Sequence, residues 1–201
     1  MAYESFEEPT PIVFEYRQVF GKGTPNYSVS RISGIGEEIS FDQCPENQTE
    51  IDLPLLSAEK IIKAAKKLKK VLFDGGDYNC AWFAHVLAGT PIIGDIDYDA
   101  ASDWDYNIEV PIDKLQPMDV GRILPKRFVS QEHVSNIAMS FGHWHTVIDR
   151  TRGLSLHVDE WQGQIQLTPT STMMQLYPSD EYMHLHTEPQ NRLLNRITEV
   201  Q

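Results

Sequence analysis

The chain has 201 residues, a formal net charge of −12 and two cysteines. That length holds one substantial domain, or one domain with a small appendage. The acidic balance argues against nucleic acid, whose phosphates require a basic face, and two cysteines make neither a disulfide framework nor a zinc site of C-x-x-C type. The apolar runs are too short to span a bilayer. The start, MAYESFEEPTPIVF, has no basic segment followed by an apolar one. The chain is therefore expected to be cytoplasmic as made, with a leaderless route if its substrate lies outside.

Residues 1–55 read as a β-rich N-terminal segment. Ile12–Phe20 and Tyr27–Ile32 carry β-branched and aromatic residues, and Gly21–Pro25 supplies a turn between them. Gly34-Ile-Gly36 is a bend, Glu38–Phe41 a further strand, and Cys44–Glu50 a polar loop. Residues 56–201 read as a second unit. Ser57 is placed as the N-cap of a helix with Glu59 in its first turn. Ile61, Ala65, Leu68 and Leu72 repeat at helical spacing, while Lys60, Lys63, Lys67 and Lys70 form a solvated face. Gly75-Gly76 ends that helix.

A second helix, from about Cys80 to Ala88, follows the turn FDGGDYN and ends at Gly89. Cys80 sits in its first turn, where free N–H groups and the helix dipole stabilise a thiolate. His85 lies roughly 140° around this helix from Cys80 and is not placed to serve it. The acidic and aromatic stretch 94–113 reads as a solvated loop or a groove rim; it lacks the glycine and terminal Glu of a calcium loop. Trp144–Asp149 and Leu154–Asp159 form a hairpin about the turn Arg150–Gly153. Gln164–Leu167 is a third strand, Met183–His186 a final strand, and Asn191–Val200 a short helix.

A thiol nucleophile needs an imidazole base and a polar group to orient that base. His145 opens the first strand of the hairpin, with His143 as an alternative on the same face. His157 stands on the second strand and shares a face with Ser155 and Asp159. Either His157 or Asp159 is placed to orient His145.

The stretch GDYNCAWFAHVLAG resembles the nucleophile helix of NlpC-type cysteine peptidases, in which a cysteine after an aromatic–polar pair opens a helix. Leu115-Gln-Pro-Met-Asp-Val120 is similar to that family's L-x-P-G-D-L segment, with Met118 in place of the glycine. His145 and His157 match the family's spacing of base and third residue. The resemblance covers about residues 57–167 and implies an α+β, papain-like fold with a nucleophile helix packed on an antiparallel sheet. It implies Cys80 as nucleophile, His145 as base and His157 as its orienter. The activity implied is amide hydrolysis in a peptide or cell-wall peptide, with no cofactor and no metal; Ala81 departs from the family's usual Ser.

NCAWFAHVLAGTP is also similar to papain-fold effector domains that deamidate glutamine, for which a protein inhibitor or immunity partner is expected and Asp159 becomes the orienter. From another class stand two alternatives. One is a cupin-like metal protein that uses the pairs His143-Trp-His145 and His184-Leu-His186. The other is a papain-like domain that binds without cleaving.

Overall fold

The computed structural model describes residues 9–19, 25–41, 44–71, 80–88, 108–109, 117–126, 143–159, 163–177 and 180–187. Among these residues the protein is α+β, and its sheet is antiparallel throughout. The strands are β1 (Thr10–Gln18), β2 (Tyr27–Gly34), β3 (Glu37–Ser40), β4 (Asn47–Leu53), β5 (Ile108–Glu109), β6 (Val120–Pro125), β7 (His143–Asp149), β8 (Leu154–Val158), β9 (Ile165–Pro169) and β10 (Tyr182–Thr187). The helices are α1 (Leu55–Lys70), α2 (Cys80–Ala88) and α3 (Thr170–Leu176). The strands form one sheet in the order β4-β1-β2-β9-β8-β7-β6-β10-β5, with β3 on β2. No described helix is long and apolar enough to cross a membrane.

The N-terminal strands join this sheet through Tyr27, opposite Leu167, and Ser28, opposite Gln166. Residues on either side of position 55 therefore share one sheet and one apolar core. On β1, Ile12 and Phe14 alternate inward and are fully buried. Their partner β2 carries a bulge: Glu15 pairs with Arg31 and Tyr16 with Val29, leaving Ser30 as the extra residue. The bulge resets the alternation, so Val29 and Ile32, three apart, both enter the core.

β4 and the start of α1 differ from the sequence expectation, which also has no counterpart to β6 or α3. Residues 47–50, read as loop, belong to β4, which pairs with β1 from Thr10–Leu53 to Tyr16–Asn47. β4 ends the sheet, so its polar residues Asn47, Gln48 and Glu50 stay exposed while Ile51 and Leu53 are buried. Helix α1 starts earlier than a Ser57 cap would set: Pro54 is its N-cap, and the Ser57 and Ala58 amides donate to Pro54 O at 2.9 and 3.0 Å. Lys67, Lys69 and Lys70 fill the last turn, where the helix dipole favours cations. Residues 72–79, with the expected Gly75-Gly76 stop, lie outside the described residues, as do 89–107, 110–116, 127–142 and 188–201.

The sheet carries a different layer on each face. Ile61, Ile62, Ala65 and Leu68 of α1 and Trp82, Phe83 and Leu87 of α2 share a core with Ile32, Ile148, Leu156, Val158 and Leu167. The other face of β7, β8 and β9 presents His143, His145, Ser155, His157, Gln166 and Thr168, and all six are buried. Helix α3 and Tyr177 lie against that polar face, through contacts described below.

Candidate functional site: a buried histidine network

The polar face is built by register. β7 pairs with β8 through Thr146–Leu156 and Val147–Ser155, which sets His145 beside His157 on the face opposite Leu156. On the other side of β7, Gly121 of β6 stands opposite His145. A Cβ on Gly121 would sit 2.1 Å from His145 Nε2 and 2.4 Å from its Cε1. Only a glycine allows the ring to lie on the backbone there.

Hydrogen bonds fix the protonation of this network. The Thr168 hydroxyl donates to Asn26 Oδ1, which can only accept. Thr168 Oγ1 must therefore accept from His157 Nε2–H, at 2.9 Å. The Nδ1 of neutral His157 is then an acceptor, and His143 Nε2–H donates to it at 3.0 Å. The run is His143 to His157 to Thr168 to Asn26, with His157 neutral. The two imidazoles meet edge to face, with centroids 4.9 Å apart.

His145 Nδ1 lies 3.0 Å from Ser155 Oγ, and Ser155 Oγ lies 2.7 Å from Thr170 Oγ1. His184 on β10, opposite Ile123 of β6, donates from Nε2 to Tyr177 O at 3.1 Å. Burial holds His145 far below the usual imidazole range, at about 3, with His143 and His184 adding repulsion. Burial also takes His157 well below that range, with help from His143 and His145. Both rings are neutral near pH 7. A base with so low an affinity for protons is poorly matched to general-base work at that pH.

Cys80 is the first residue of α2 and is 6% exposed. Its helix packs through Trp82, Phe83 and Leu87 on the face of β7 and β8 that carries Ile148, Leu156 and Val158. His145 and His157 leave those strands from the opposite face. The structure thus gathers His143, His145 and His157, while the helix that carries Cys80 lies across the sheet from them. The ring nitrogens of His145 and His157 bond Ser155, His143 and Thr168. Asp159, the other expected orienter, closes the β8–β9 connection with its backbone: its amide donates to Gln164 O and its carbonyl accepts from Gly163, both at 2.9 Å. No disulfide joins Cys44 and Cys80.

Sequence reasoning put Ser155 on the histidine face but not its bond to His145, and it missed Asn26, Thr168, Thr170 and Gly121. The alternation of Gln166 and Thr168 with Ile165 and Leu167 is the one local signal for a buried polar face on β9. Among the described residues, no three or more His, Cys, Asp or Glu side chains are grouped to hold a metal ion. The backbone of His186 pairs with Gly121, but its side chain lies outside what is described.

The turn before β6 has one further feature. Met118 has φ +69, in the left-handed region that glycine enters freely and other residues enter at a cost of about 1 kcal/mol. Its amide donates to Val147 O at 2.6 Å, and Val147 N donates to Asp119 O at 3.0 Å, which clamps the turn onto β7. No family model matches the chain, and neither a curated protein nor a solved structure matches it.

Proposed function

We propose that the protein is a cysteine-dependent amide hydrolase of papain-like, NlpC type, with Cys80 as the nucleophile and a peptide or cell-wall peptide as substrate. The observation that carries this reading is the turn at Met118. The NlpC segment L-x-P-G-D-L has glycine at that position, and here the backbone keeps a glycine conformation although the residue is Met. The segment then delivers β6 alongside the histidine-bearing strand β7. Helix α2, opened by Cys80, docks on the same strand. The thiolate would attack the amide carbonyl, giving a thioester after the amine leaves, and water would release the acid. First-turn N–H groups of α2 are suited to the developing oxyanion.

A second reading, a papain-like domain that binds without cleaving, is favoured by a specific observation: His145 and His157 leave the face opposite α2 and bond to other groups. Alkylation separates the two. Iodoacetamide rates would be followed by intact mass from pH 5 to 9 in a Cys44→Ser background, because Cys44 is exposed and would react too. The hydrolase reading expects fast modification of Cys80, with an apparent pKa below that of free cysteine, and a shifted profile in His143→Ala or His145→Ala. Slow modification with an ordinary profile, unchanged in both variants, would sink it and leave the binding domain.

A further inference from the structure

Helix α3 is held to the sheet at both ends by contacts that run through histidines. At its start, Thr170 Oγ1 lies 2.7 Å from Ser155 Oγ, which in turn lies 3.0 Å from His145 Nδ1. Just past its end, the Tyr177 ring stacks on His143, with centroids 5.9 Å apart and planes 8° from parallel. The Tyr177 carbonyl accepts from His184 Nε2. His157 anchors His143 from below, and both of its ring nitrogens are committed, Nδ1 as acceptor and Nε2 as donor.

We propose that the histidine network is an acid-operated latch, and that protonation of His157 releases α3 and Tyr177 from the sheet. A proton on His157 Nδ1 would face the N–H of His143 Nε2 donor to donor, and with His143 in that tautomer the bond breaks. The His143 ring then has to move, and the stack that holds Tyr177 goes with it. Among the described residues, the groups around His157 offer little compensation for the new charge. From β7 come His143 and His145, and His184 on β10 faces His145. From β9 and the residue before β2 come neutral Gln166, Thr168 and Asn26. From α3 and its end come neutral Thr170 and the Tyr177 phenol. Among the described residues, the carboxylate nearest along the chain is Asp159, just past the end of β8 and half-buried.

The direction of the effect follows from His157 being neutral in the closed form. Burial depresses the proton affinity of His157 while α3 is docked. Undocking returns the ring to an ordinary imidazole affinity, near 6.5. Docking is unaffected by pH above that value and weakens progressively below it. One such histidine makes the open form about 30-fold more populated at pH 5.0 than at pH 7.5. This inference does not depend on the hydrolase reading.

Hydrogen–deuterium exchange of the intact chain at pH 7.5 and 5.0, corrected for the intrinsic pH dependence of exchange, tests it. Amides of residues 173–177 should gain about 30-fold in opening at pH 5.0, while amides of residues 61–65 in α1 keep their protection. His157→Gln supplies an acceptor for His143 and a donor for Thr168 without a titrating proton, so its α3 should stay protected at pH 5.0. Should that variant not fold, His157→Asn, which also cannot titrate, carries the same expectation. Equal protection of α3 at the two pH values would overturn the latch. So would joint opening of α1 and α3, or acid release in the non-titrating variant that matches wild type.

Discussion

The two faces of this sheet solve burial in opposite ways. On the face under α1 and α2, stability comes from apolar area that has no direction: Ile12, Phe14, Ile32, Leu156 and Leu87 are all fully buried. On the face under α3, it comes from donors and acceptors that must match one by one, from His143 through His157 and Thr168 to Asn26. An apolar layer tolerates small shifts and loses stability in proportion to what is removed. A polar layer contributes little net per bond but is costly when one partner is lost. The comparison teaches where each face is fragile: the first to lost volume, the second to lost partners and to protons.

The largest expected effect belongs to the apolar face. Phe14→Ala removes a fully buried ring from the centre of the β1–β2–α1 core and should cost about 3–5 kcal/mol in urea unfolding at pH 7.5. A loss below about 1 kcal/mol would mean that the β1 end of the sheet contributes little to the common core.

The polar face should respond less to a substitution of similar depth. Thr168→Val keeps the shape but removes the acceptor for His157 Nε2–H and the donor to Asn26 Oδ1. Both partners stay buried, and the expected loss is about 1–3 kcal/mol by the same measurement. Thr168→Ser restores the hydroxyl and should recover most of it. If the Val and Ser variants were equally stable, the bonds would carry no net stability, and the face would be held by packing alone.

Much of this division was legible in the sequence, but not its sidedness. The hairpin of β7 and β8, its turn at Gly153 with φ +63, and the start of α2 at Cys80 were all readable from local pattern and turn chemistry. The burial of β7 explains why the sharing of faces was not. Every residue from His143 to Ile148 is buried, so alternation marks two faces without saying which one meets a helix. Reading His145 as the partner of Cys80 assumed that the histidine face meets α2. β4 hid because an end strand keeps one row of polar residues in water. The closure of β2 on β9 joins residues 138 to 140 positions apart and leaves no local trace. Helix α3, TSTMMQL, has little helix propensity of its own; its place follows from docking.

The smallest predicted effect tests a charged group on the apolar face. Arg122 on β6 stands opposite Trp144 and shares the helix-bearing face. Its guanidinium carbon lies 4.9 Å from the Trp144 ring centroid, and its Nε and Nη2 are buried without a hydrogen-bond partner among the described residues. Burial lowers its proton affinity to about 10, so it remains charged at neutral pH. Two enclosed donors with no acceptor cost on the order of 1–3 kcal/mol, and stacking on the indole returns about 0.5–2 kcal/mol. Arg122→Met removes both terms and keeps most of the aliphatic stem in place. The net expectation is a gain of about 1 kcal/mol, read as a higher urea midpoint at an unchanged slope. A loss of that size instead would mean that the cation–π contact outweighs the two orphaned donors, and that even the apolar face depends on a directional interaction.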